Sequence, residues 1–171
     1  MNAALFTIGI LSNLQEELIK ALNGLTSDEL SYQPDTESNS IGFILWHQIR
    51  CEDMMVIATL LGELEEWETG RWATRMGFEQ DFKDNGWGYT AEQVSSFNVP
   101  KLEEIIAYGQ AVRSKTTKYL SGLSQADFDE VKKTVFGEMH VSTLLTMLIV
   151  ELSLHTGHIS YIRGLQRGLD K

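Results

Sequence analysis

Four histidines occur in the chain, and two of them, His155 and His158, stand three residues apart, with Glu151 four residues before the first. On an α-helix, at roughly 100° per residue, these three side chains fall within an arc of about 60°. They share that stripe with Leu144, Leu148 and Ile162. Burying imidazoles and a carboxylate without partners costs about 1–3 kcal/mol each, more for a charge. A divalent cation paired with them would offset that cost, and imidazole with carboxylate suits Zn, Ni, Fe or Mn.

Spacing restricts how the three are used. Glu151 and His155 are one turn apart, as are His155 and His158, but Glu151 and His158 are separated by roughly 10 Å along a helix axis. One of that outer pair would therefore orient a ligand rather than bind the ion. A further ligand must come from another helix, and His47 is the candidate. Three protein ligands with an open position form a reactive metal site. The residues also admit blander roles. His47 taken alone reads more readily as a hydrogen-bonded core residue, and a buried Glu151–His155 hydrogen bond is a sufficient structural use of that pair. Cys51, one turn beyond His47, could ligate as a thiolate but reads as a small core residue. His140 reads as a loop or capping residue, Trp46 and the other tryptophans as packing, and the run Glu63, Glu65, Glu66, Glu68 as a solvated face.

The elements that must position these groups follow from apolar periodicity. Leu5, Ile8, Leu11, Leu14, Leu18 and Leu22 predict a first long helix from about Ala3 to Asn23, with Gly24 as its stop. Thr26 to Glu29 has the form of a capping box and starts a short turn, and the stretch to Ser40 reads as a loop around Pro34. Ile44, His47, Cys51, Met55 and Ala58 predict a second long helix from Ser40 to Leu61, with Gly62 ending it. Residues Glu63 to Phe97 lack sustained periodicity and read as a long connection with short helical pieces. A connection of that length is a candidate lid or pocket wall. Leu102, Ile105, Ile106, Gly109, Val112, Thr116, Tyr119 and Leu120 predict a third long helix from Pro100 to Leu120. A short helix over Ser124 to Val131 and a fourth long helix from Ser142 to Gly164 or Gly168 complete the chain. The expected architecture is all-α: a four-helix bundle with a long insertion between helices 2 and 3, a single domain over residues 1–171.

Bulk properties narrow the function. A net charge of −10 disfavours contact with nucleic-acid phosphates. Cys51 is the only cysteine, so no intramolecular disulfide is available. The apolar N-terminal stretch lacks a basic leader and reads as helix, and no apolar run reaches the roughly 20 residues that span a bilayer. The expectation is a cytoplasmic protein with no nucleic-acid or membrane partner.

Four segments together resemble the DinB-like (YfiT-like) metalloenzyme family of bacterial helical bundles. They are LTSDELSYQPDTESNSIGFILWHQIRCEDM (Leu25–Met54), WETGRWATRMGFEQDFKDNGWGYTAEQVSSF (Trp67–Phe97), HVSTLLTMLIVELSLH (His140–His155) and HTGHISYIRGLQRG (His155–Gly168). The resemblance implies a metal held by three histidines, one in the second helix and two one turn apart in the last. By position these fall on His47, residue 151 and His155, and residue 151 is Glu here. The implied site is His47, Glu151 and His155, with His158 as the substitute third ligand. Some relatives are transferases or isomerases that use low-molecular-weight thiols, so the resemblance implies a small-molecule substrate, with a thiol as the candidate. Bundles of this size commonly pair, and a homodimer is expected.

Overall fold

The computed structural model describes residues 3–78 and 84–168, so residues 79–83 of the long connection lie outside the described residues. Four long helices dominate. The first, α1 (Ala3–Leu22), leads into α2 (Ser27–Ser31), which opens on a capping box between Thr26 and Glu29. Next comes α3 (Ile41–Glu52), with the Ser40 hydroxyl accepting from the Phe43 amide, and it continues without a break as a π-helical segment, Asp53–Leu61. Gly62, left-handed at φ 70°, ends it. Three short helices, α4 (Glu66–Thr69), α5 (Trp72–Met76) and α6 (Ala91–Ser95), lie in the connection to α7 (Leu102–Gly122). A 3₁₀ turn, Ala126–Asp129, precedes the strands β1 (Val131–Thr134) and β2 (Gly137–His140), and α8 (Val141–Arg167) follows directly. No helix of the described residues is long and apolar enough to cross a membrane.

The long helices pack pairwise, α3 and α1 each against α7 and α8. Every residue of α3 is buried. The helix that reads as amphipathic is therefore central, and its polar residues all need partners inside the protein. Two apolar clusters flank it. One joins α3 to the tryptophans and aromatic residues of the connection, and the other joins α1, the π-helical segment and the first half of α8.

The expected short helix over Ser124 to Val131 is corrected to a 3₁₀ turn and an antiparallel hairpin pairing Val131 with His140 through Thr134 with Gly137. The turn is closed by Thr134, whose hydroxyl donates to the Gly137 carbonyl and accepts from the Phe136 amide. Its strands bury neither face cleanly, so no apolar alternation marks them in the sequence. On α8 the buried stripe is Leu144, Leu145, Leu148, Leu152, Thr156, Ile159 and Ile162, so Glu151 and His155 stand beside it rather than on it. The third long helix begins at Leu102, not Pro100, and buries Tyr108, which the periodic stripe omits.

The acidic run is also corrected, because Glu65 and Glu66 are only partly exposed and each is ion-paired. Arg50, 1% exposed at its side chain, donates to Glu65 (2.5 Å), and Lys115 reaches Glu66 (2.8 Å). Arg50 further donates to Tyr108 Oη (3.2 Å) and, through Nε, to the Asp84 carbonyl (3.0 Å), while its guanidinium lies over the Trp67 ring. Asp53, fully buried, accepts from Tyr108 Oη (2.7 Å) and from the Glu66 and Trp67 amides (2.9 and 2.8 Å). It thereby satisfies the first turn of α4, whose own N-cap residue, Glu65, makes no side-chain capping bond. Burial raises the Asp53 and Glu65 carboxyls above the usual carboxylate range, and it pushes Tyr108 higher still. This network holds the connection onto α3.

Candidate metal centre

Packing of α3 against α8 brings His47 and Cys51 to Glu151 and His155. His47 Nε2 lies 3.3 Å from Glu151 Oε1, and His155 Nε2 donates to the same oxygen at 2.9 Å. Cys51 Sγ is 3.6 Å from His47 Nε2. One ligand atom each from His47, Cys51 and Glu151 falls within 4.8 Å of the others. The His47 and His155 rings meet edge to face, with centroids 5.1 Å apart.

A loop of the connection completes the site. His47 Nδ1 donates to the Asn85 carbonyl at 2.5 Å. A carbonyl only accepts, so this bond places a proton on Nδ1 and aims Nε2 at Glu151. Backbone orientation of this kind is what a metal-binding imidazole requires. The loop can approach so closely because residue 86 is Gly, with φ 79°. A Cβ there would stand 2.9 Å from the Trp46 ring and 3.0 Å from Phe43. Arg50 anchors the preceding carbonyl, Asp84, so two adjacent carbonyls are held by two residues of α3.

The electrostatics suit a cation. Burial disfavours a charged His47, but hydrogen bonds to Cys51, Glu151 and the Asn85 carbonyl outweigh it and raise its pKa to about 10. Glu151 is held well below the usual carboxylate range, chiefly by the hydrogen bond from His155 and then by that from His47, against the opposing effect of burial. The carboxylate and its neighbours thus favour positive charge at the position His47 Nε2 faces. Beside the cluster opens a cleft of about 410 Å³, walled by Phe43, Trp87, Tyr89 and Val94. Trp87, 70% exposed, stands at its rim, whereas Trp46, Trp67 and Trp72 are buried packing residues.

Of the residues singled out by spacing, His47, Glu151 and His155 come together. His158 is exposed, with its ring centroid 5.6 Å from that of His155. It neighbours the cluster without facing Glu151, because the α8 positions three residues on turn toward solvent. His140 ends β2 and bonds the Asp129 carbonyl through Nδ1 (2.8 Å), outside the cluster. Cys51 is buried beside His47 and Glu151, one turn from His47, the same spacing that links Glu151 to His155. Asn85 contributes a main-chain atom, which no side-chain motif could reveal.

No curated protein matches the chain. A conserved protein of Enterococcus faecalis, known from its crystal structure, superposes with a TM-score of 0.86 over 99% of each chain at 20% identity, which establishes likeness of fold. The DinB superfamily profile matches residues 10–159. That span is most of the described chain and carries His47, Glu151 and His155, so the chain belongs to the DinB superfamily.

Proposed function

We propose that the chain is a metal-dependent enzyme of this superfamily, a four-helix bundle with a long insertion between helices 2 and 3, holding a divalent ion at the His47–Glu151–His155 cluster. One observation carries the reading: His47 Nε2 faces Glu151 Oε1 while Nδ1 is locked by the Asn85 carbonyl, beside a cleft. Zn, Ni, Fe and Mn all suit these donors. When bound, such an ion lowers the pKa of a thiol or water and so supplies a nucleophile near neutral pH. The chain's own groups do the rest. Asn85 fixes the His47 tautomer, His155 holds Glu151, and Phe43, Trp87 and Tyr89 form an aromatic wall that receives a small uncharged body. The substrate class is a small molecule, with a low-molecular-weight thiol as co-substrate in an S-transferase, isomerase or hydrolase-like reaction.

Elemental analysis of protein expressed with ample metal should find about one ion per chain. His47→Ala and His155→Ala should each reduce it, and chelation should lower Tm, since a native-state ligand stabilises the fold. No metal in the wild type under those conditions refutes the reading.

A second reading is a non-catalytic bundle that binds a small ligand. The contacts of both histidines with Glu151 favour it, as does a separate apolar cavity of about 340 Å³ among α1, α3, α7 and α8. It requires that chelators leave Tm unchanged. In either case we place the protein in the cytoplasm as a homodimer. Val150, Leu154, Tyr161 and Leu165 form an exposed apolar stripe on α8, and His158 lies at the same helical phase. Light scattering tests that assembly.

A further inference from the structure

Cys51 lies deep in the cluster, 2% exposed, and the spacing of its sulfur from its neighbours is informative. On a tetrahedral ion with metal–sulfur and metal–nitrogen bonds of usual length, the S and N ligand atoms sit about 3.6 Å apart and N and O about 3.3 Å apart. The Cys51 Sγ to His47 Nε2 distance is 3.6 Å, and His47 Nε2 to Glu151 Oε1 is 3.3 Å. Both separations are those of ligands on one ion. One ligand atom from each of His47, Cys51 and Glu151 lies within 4.8 Å of the other two, close enough for a single ion to engage all three.

From this geometry we infer that Cys51 is a ligand of the site, which then comprises His47 Nε2, Cys51 Sγ and Glu151 Oε1, with His155 as the residue that positions Glu151. The inference rests on the reading of the cluster as a metal centre. His155 meets the set through Glu151 Oε1 at 2.9 Å, shorter than the separation of two ligands on one tetrahedral ion and normal for a hydrogen bond. On metal binding the sulfur–metal bond forms and the S–H proton leaves to solvent, because the thiolate is the ligand. A thiolate beside imidazole and carboxylate shifts preference toward zinc and cobalt and away from manganese. Three protein ligands leave one coordination position, and the cleft adjoins the site.

The full chain, stripped by chelator and titrated with cobalt(II), separates the possibilities. Cobalt bound to this set shows visible ligand-field bands together with a sulfur-to-cobalt charge-transfer band in the near-ultraviolet. Cys51→Ser and Cys51→Ala should abolish the near-ultraviolet band, keep visible bands, and weaken cobalt binding by about tenfold or more, since even an outer-sphere partner contributes that much. Visible bands without the near-ultraviolet band in the wild type overturn the assignment of Cys51 while leaving the metal centre standing. An unchanged near-ultraviolet band in both variants overturns it equally. No cobalt binding by the wild type sinks the metal centre itself and the inference with it. Because the wild-type spectrum decides alone, a variant that fails to fold does not shelter the proposal.

Discussion

Arg50→Met removes one charge from the centre of the protein while keeping most of the side-chain volume. In the native chain the guanidinium, with its side chain 1% exposed, bonds Glu65, Tyr108 and the Asp84 carbonyl. Breaking a buried ion pair from one side typically costs about 3–5 kcal/mol. The lower end applies here for two structural reasons. Asp53 loses its ion pair with Arg50 (3.6 Å) but keeps its bonds to Tyr108 and to the Glu66 and Trp67 amides, and Glu65 is 20% exposed at its side chain, so it can turn toward water. The expected loss is therefore about 3 kcal/mol, or roughly 6–12 °C in Tm for a chain of this size. Urea denaturation followed by far-ultraviolet circular dichroism measures it. Adding Glu65→Gln should recover part of the loss, because the stranded carboxylate is then neutral. A loss under about 1 kcal/mol, or strict additivity in the double variant, refutes the claim that this network holds the connection to α3.

Two further outcomes follow from the geometry. Gly86→Ala puts a Cβ against Trp46 and Phe43 at a left-handed backbone position, so the loop must shift and the Asn85 carbonyl leaves His47. Metal affinity by calorimetric titration should fall about 10–100-fold, as it does when an outer partner of a ligand is lost, and an unchanged affinity counts against the role given to that carbonyl. Where the last helix meets the first turn of α2, Glu29 is held down to about 2, chiefly by its hydrogen bonds from Arg167 and then from the Thr26 amide. A carboxyl depressed in the folded state adds stability that is complete above its unfolded value, near 4.5, and is lost as pH falls toward about 2. Carbon-13 titration of the side-chain carboxyls should find Glu29 ionised at pH 3 in the wild type and shifted toward its ordinary value in Arg167→Ala. A Glu29 that titrates near 4.5 in both would show that the Arg167 contact does not persist in solution.

Helix positions were legible because helical periodicity and capping chemistry are local. Leu11 and Leu22 on α1, the Thr26–Glu29 capping box, the Ser40 cap and the Gly62 stop all act within a few residues. So are the one-turn steps from His47 to Cys51 and from Glu151 to His155. A single sequence thus determines that two pairs of ligand-type side chains exist, each on one helix face. It could not weight Cys51 against Glu151 or His158, since helical phase alone cannot say which face meets which. The π-helical run, the hairpin and the burial of all of α3 escaped for a related reason. The π-helical run and the hairpin leave no apolar period to read, and the burial of α3 depends on partners 15 to 61 positions away, such as Glu65 for Arg50 and Arg113 for Glu52. The tertiary structure alone decided that α3 and α8 pack so that His47 meets Glu151, that His158 turns outward, and that the Asn85 carbonyl reaches the ring. Those choices are set by interhelical packing and a loop made close by Gly86, and neither leaves a periodic trace in the residues themselves.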